Sequence, residues 1–172
     1  MKTKDMAYIA LFAVVICVCS WISIPMTVPF TLQTFAVFCA LLILGGKRGT
    51  IAVVLYVLMG MVGLPVFSGF KSGIATLLGP TGGYIIGFIL CGVFYWLLEK
   101  SVKAKWLLLV AGNIICYVFG TVWFVYVYTG SGKAITFGAA LMMCVVPYIV
   151  PDAAKLALAA IISGKLKRYV KV

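Results

Sequence analysis

The chain alternates between long apolar runs and short polar connections. The runs cover residues 6–24, 34–45, 49–62, 81–98 and 106–128, and a broken apolar stretch follows at 135–163. A straight helix needs about 20 residues to cross a bilayer, within a range of about 17–25. The second and third runs are short by these bounds and extend into neighbouring residues such as 31–33. The last stretch is too long for one straight crossing, by roughly ten residues. Pro147 and Pro151 supply its break, because each lacks a backbone N–H and Pro suits the first turn of a helix. The pattern therefore predicts a short helix within 135–146, a turn, and a final span from about Pro151. Asp152 then falls in the first turn of that span, at the positive end of the helix dipole, with Lys155 one turn deeper on the same face.

Two connections depart from the polar norm. IPMTVPFTLQ at 24–33 carries Pro25 and Pro29, and GLPVFSGFKSGIATLLGPTGG at 63–83 is rich in Gly, Pro and aromatics. Irregular backbone at membrane depth is tolerated where protein or a cavity covers it. Both segments are expected to form walls or lids of a cavity open to the outside.

Composition fixes the class. Apolar residues make up 65% of the 172-residue chain, charged residues 10%, and the mean hydropathy is +1.23. A soluble domain needs far more polar surface than that. The expectation is an all-α membrane protein, a six-helix transmembrane bundle forming one domain over residues 1–172. The N-terminal apolar run is long for a signal peptide and lacks an A-x-A site, so it is read as a retained first span. The net charge of +11 does not point to nucleic acid, because the basic residues form no continuous stripe. Lys2 and Lys4, Lys47 and Arg48, Lys100, Lys103 and Lys105, and Lys165, Lys167, Arg168 and Lys171 cluster in alternate connections. The positive-inside rule then puts both termini in the cytoplasm of a multi-pass protein.

Candidate chemistry is sparse. GGKRGT at 45–50 lacks the Ser or Thr that must follow the lysine of a nucleotide-binding loop. The chain has no His, and its acids are Asp5, Glu99 and Asp152, so paired-carboxylate catalysis and activated-cysteine chemistry lack their partners. The six cysteines lie in apolar runs without metal-ligand spacing and read as reduced, buried side chains. The chain is not expected to be an enzyme or to carry a metal or cofactor. Binding remains. Ionisable groups inside spans mark substrate paths or buried pairs, which singles out Asp152 and Lys155 against the plainer alternative of a helix-locking salt bridge. Asn113 and Gln33 supply amides, and Phe30, Phe67, Phe70 and Tyr84 supply apolar cover. Small residues at Ala36/Ala40, Gly83/Gly87 and Ala153/Ala157 permit close helix contact, and Ala7, Ala10 and Ala13 form a narrow stripe on the first span that suits a membrane partner.

The series VPFTLQTFAVFCALLILGGKRG, LYVLMGMVGLPVF, LLGPTGGYIIGF and VPYIVPDAAKLALA resembles the BioY family, the biotin-specific substrate-binding (S) components of energy-coupling factor (ECF) vitamin transporters. The resemblance runs in order along nearly the whole chain. It implies a six-helix S component of the bacterial plasma membrane that captures biotin from outside and works with a membrane scaffold subunit and two cytoplasmic ATPases, which alone use ATP. It implies ligand contact by Asp152 and Lys155, with Thr31, Gln33, Gly73, Tyr84 and Asn113 as further lining candidates, Phe67 as apolar cover and Lys71 near the valerate carboxylate. The chemistry agrees: a carboxylate accepts from ureido N–H groups and an ammonium donates to the ureido oxygen. The family's small-residue docking pattern on the first helix is imperfect here, since Val14 follows Ala10 and Cys17 follows Ala13 at a spacing of four. Two other readings use the same residues: an S component for another vitamin, and a stand-alone or ion-coupled carrier with Asp152 as its proton site.

Overall fold

A computed structural model describes residues 3–167; Lys2, Arg168 and Lys171 of the basic clusters lie outside the described residues. The helices are α1 (Thr3–Trp21), α2 (Gln33–Leu44), α3 (Gly46–Met61), α4 (Ile74–Leu78), α5 (Gly82–Leu98), α6 (Lys105–Gly130), α7 (Phe137–Cys144) and α8 (Val146–Leu166). Between α1 and α2, β1 (Ser23–Ile24) pairs antiparallel with β2 (Phe30–Thr31), in the register Ser23 to Thr31 and Ile24 to Phe30. Helices α1 and α6 and the stretch Phe137–Leu166 are long and apolar enough to cross a membrane, and α2 and α5 are shorter apolar helices. The molecule is thus helical and apolar as the pattern predicts.

The centre of the fold is α2. All of its residues except Phe35 are buried, and it packs on α1, α3, α5 and α8. At 12 residues it is about 18 Å long, well short of the roughly 30 Å hydrocarbon layer. Its C-terminus turns at once into α3 through Gly45, whose φ of +80° suits a residue without Cβ. The first N–H of α3, on Gly46, donates to the Glu99 carboxylate at the end of α5, at 2.6 Å. That contact satisfies one of the orphan donors of a helix start with a negative group. Nearby, Arg48 pairs with the buried Asp5 of α1 at 3.3 Å. Two of the three acids are therefore engaged at the ends of helices.

Helices α5 and α6 form the most extensive helix pair. Gly83 and Gly87 lie at it as their spacing predicts: a Cβ on Gly87 would come within 2.7 Å of Cys116 Sγ. Ala36 and Ala40 are likewise fully buried. The six cysteines are free thiols, and all but Cys19 are buried.

Three expectations are corrected. Helix α8 begins at Val146, not near Pro151: Pro147 takes the early N1/N2 position and Pro151 lies inside the helix. Asp152 is therefore in the second turn, beyond the first-turn position where the dipole acts most strongly. Ala153 and Ala157 are exposed. Asp152 and Lys155 hold the inward face of α8, and at about 100° per residue the two alanines turn away from it. On α1, Ala7 and Ala10 are exposed, but Ala13 is fully buried with Ile9, Phe12 and Ile16. The outward stripe of α1 continues instead through Leu11, Val14 and Val18.

Replacing Glu99 by Ala leaves the Gly46 N–H without its acceptor. The expected loss is about 1 kcal/mol, read as a lower thermal unfolding midpoint in detergent. An unchanged midpoint would show that the start of α3 is held by other contacts.

Candidate ligand-binding site

A cavity of about 80 Å³ lies over the N-terminus of α2. Every main segment except α1 and α3 reaches it: Val28, Thr31 and Gln33 from the first connection and α2, Phe67, Ser68 and Lys71 from the second connection, Tyr84 from α5, Asn113 and Tyr117 from α6, and Tyr148, Asp152 and Lys155 from α8. Both proline- and glycine-rich connections are walls of this cavity, as the sequence predicts.

The polar centre is on α8. Asp152 and Lys155 are only 4% and 7% exposed, and an uncompensated charge at that burial is strongly unfavourable. Compensation is complete on this side. Lys155 Nζ donates to Asp152 Oδ1 at 2.7 Å and to the Thr31 carbonyl at 2.7 Å. It also lies 4.1 Å from the centre of the Phe30 ring, a cation–π distance. The other oxygen of Asp152 accepts from the Tyr117 hydroxyl at 2.5 Å. The pair sits at i and i+3 on one helix, so by itself it locks no two helices; its outer bonds tie α8 to β2 and to α6.

Aromatic placement follows from small residues opposite. The Phe67 ring fills the space over Gly60, where a Cβ would lie 2.1 Å from the ring, and meets Tyr56 edge-on at 5.6 Å. Tyr84 lies over Gly120 in the same manner and its hydroxyl hydrogen-bonds Thr121 at 3.0 Å. The Gln33 amide donates to Tyr56 at 3.0 Å. Tyr148 stacks on Phe30 at 6.2 Å and donates to the Val28 carbonyl, so α8 also holds the β1–β2 hairpin. The second connection is anchored by α1: Ser20 donates to the Val66 carbonyl, and Trp21 donates to Pro65 at 2.9 Å and stacks on Phe70 at 5.1 Å.

Of the predicted lining residues, Asp152, Lys155, Asn113, Tyr84, Thr31, Gln33, Phe67 and Lys71 all line the cavity. Gly73 does not. Its φ is +82° and its N–H donates to the Gly60 carbonyl at 2.7 Å, so it shapes the second connection without facing the void. Tyr117 and Tyr148 are the residues that sequence reasoning missed. The available signal was spacing: Tyr117 follows Asn113 by four, on one helix face.

A helical, membrane-type fold with a charged pair turned into a roofed cavity defines a small-ligand-binding membrane protein. The particular family follows from comparison: the family model for BioY matches residues 1–172, and the chain belongs to the BioY family. A biotin transporter BioY of Thermotoga maritima is 45% identical over 162 residues, covering 92% of each chain. A probable biotin transporter BioY of Pyrococcus horikoshii is 39% identical, covering 97% of this chain and 98% of the relative. A crystal structure of the S-component for biotin from an ECF-type ABC transporter superposes with a TM-score of 0.85 at 26% identity, covering 98% of this chain and 95% of the other.

Tyr117→Phe removes the donor to Asp152 Oδ2 and leaves a buried carboxylate oxygen unpaired. The ligand-free protein is expected to lose about 1–3 kcal/mol, seen as a lower thermal unfolding midpoint. No loss would mean that Asp152 finds another donor there.

Proposed function

We propose that this chain is the biotin-binding S component of an ECF-type transporter. The observation that carries the reading is the Asp152–Lys155 pair facing a roofed cavity, in a chain of this family. The biotin head is a cyclic urea: two N–H donors flanking one carbonyl. Asp152 accepts from the donors and Lys155 donates to the carbonyl, so the opposite charges match both halves of the head. Asn113, Thr31 and Gln33 add neutral polar contacts beside it. Phe67 and Tyr84 cover the apolar rings, and Lys71, on the exposed second connection, meets the valerate carboxylate.

Binding also requires motion. The cavity of about 80 Å³ is well below the roughly 300–1,000 Å³ of sites for drug-sized ligands. The hairpin and the second connection, which roof it, must move outward to admit the ligand. No chemical step is involved; selection rests on leaving buried donors and acceptors unpaired when the wrong head enters.

The wider reading completes the assignment. The helical bundle, short helices included, makes six crossings of the cell membrane, with both termini in the cytoplasm as the basic clusters direct. Ala7 and Ala10 on the outward face of α1 meet the scaffold subunit, and two ATPase subunits supply the energy. The chain itself holds no ATP and no other cofactor.

Isothermal titration of the purified protein against biotin and a panel of other vitamins tests the ligand. Biotin is expected to bind, and Asp152→Asn and Lys155→Ala are each expected to weaken it by roughly 10–100-fold. Full affinity in the double variant would remove these residues from the site, and selective binding of a different vitamin would replace the ligand. Liposomes containing this chain alone are expected to accumulate no biotin; uptake driven by a proton gradient would favour a stand-alone carrier.

A further inference from the structure

A second void, larger than the first, separates α6 from α8. These helices run side by side yet scarcely touch, with α7 set between their far ends. The cleft between them has a volume of about 810 Å³. Val110, Ile114 and Val118 of α6 face Ile149 and Leu156 of α8 across it, over Phe38 of α2. With Trp106, the α6 residues form a stripe at a spacing of four, and all four are exposed. The stripe is about 18 Å long. Among the described residues, the polar groups that line the cleft are those of Asn113, Tyr117 and Asp152, with the Trp106 indole at one end.

The cleft has a charged end. Lys105 opens α6 next to Trp106, and Lys167 follows the last residue of α8 about 10 Å beyond Ala160, so both lie past the same end of the lining. Lys167 is pushed below the usual lysine range by burial first and by the charge of Lys105 second, with Glu99 opposing. Glu99 is itself engaged with the Gly46 N–H. An apolar cleft with an indole at one end and two lysines beyond it is the complement of an amphiphile with a negative head. Basic sites between membrane helices of this kind take anionic lipid headgroups, and Trp favours the same interfacial level.

We propose that the α6–α8 cleft is a binding site for an anionic phospholipid, with an acyl chain along the α6 stripe and the phosphate between Lys105 and Lys167. A neutral transmembrane helix is a poorer occupant, since it fills the apolar cleft but offers no negative group to the two lysines. The bound chain also covers the Tyr117–Asp152 contact from the bilayer side.

Native mass spectrometry of the delipidated full chain, titrated with phosphatidylglycerol or phosphatidylcholine of matched acyl chains, tests this. Phosphatidylglycerol is expected to be retained in preference. Lys105→Ala with Lys167→Ala should cut its apparent affinity by roughly 30-fold and abolish the preference. Ala157→Trp, which fills the channel, should weaken both lipids, with helical circular dichroism and monodisperse elution confirming the fold. Equal retention of the two lipids, or retention unmoved by both sets of changes, overturns the proposal. So does an Ala157→Trp variant that keeps its lipid but no longer co-purifies with a membrane partner subunit.

Discussion

The buried ammonium of Lys155 is the constraint around which the rest of the molecule is arranged. A cation at 7% exposure in an apolar bundle persists only if it is surrounded by acceptors. Asp152 supplies a charge, Thr31 a carbonyl, and Phe30 a π-face. Each of these comes with a structural demand. The Thr31 carbonyl is available because β1 and β2 fold back over α8, and the second oxygen of Asp152 is satisfied because α6 brings Tyr117 to it. Breaking such a pair is far more damaging than never having built it, so the hairpin, α6 and α8 are fixed relative to one another by one set of contacts. A ligand head entering here meets groups already oriented.

The void that receives those groups has its origin in the shortness of α2. A 12-residue helix cannot span the membrane alone, and the missing length lies above its N-terminus. The chain fills part of that space with irregular backbone, which is tolerable only if its polar groups are satisfied internally. Several are: the Phe67 N–H donates to the Lys71 carbonyl, the Gly73 N–H donates to the Gly60 carbonyl, and the α1 side chains Ser20 and Trp21 donate to the carbonyls of Val66 and Pro65. The outer segments are therefore bound to the bundle at their ends and lie over the cavity between those anchors.

How much of this was legible in the sequence depends on how costly each residue is in its setting. Asp152 and Lys155 stood out because charge in an apolar run demands an explanation, and both face the cavity. The connections at 24–33 and 63–83 stood out because Pro and Gly were too dense for a span and the rest too apolar for a solvated loop. Tyr117 and Tyr148 did not stand out, since an aromatic residue in a span reads equally as lipid contact, core or site. Pro151 misled. A proline near a helix start and one inside the helix look alike until the start is known, and Pro147 had the better claim to the first turn. Small residues were equally ambiguous: Gly87 is buried against α6 and Ala157 faces outward, though both belong to patterns spaced by four. Spacing gives the face; the neighbouring charges decide which way that face turns.

The route into the cavity follows from what surrounds the charged pair. Asn113, Tyr117 and Asp152 line both voids and so stand between the polar cavity and the apolar cleft. A urea-like head cannot cross the cleft side without giving up its hydration to Val, Ile and Leu side chains, which return no hydrogen bonds. The opposite side is different. Ser68, Lys71, Thr76 and Thr81 of the second connection line the cavity together with Thr31 and Gln33, and each can exchange hydrogen bonds with a partly hydrated ligand. Desolvation along that side is stepwise and compensated. The polar side of the cavity is thus at the two irregular connections, and the apolar side faces α6 and α8.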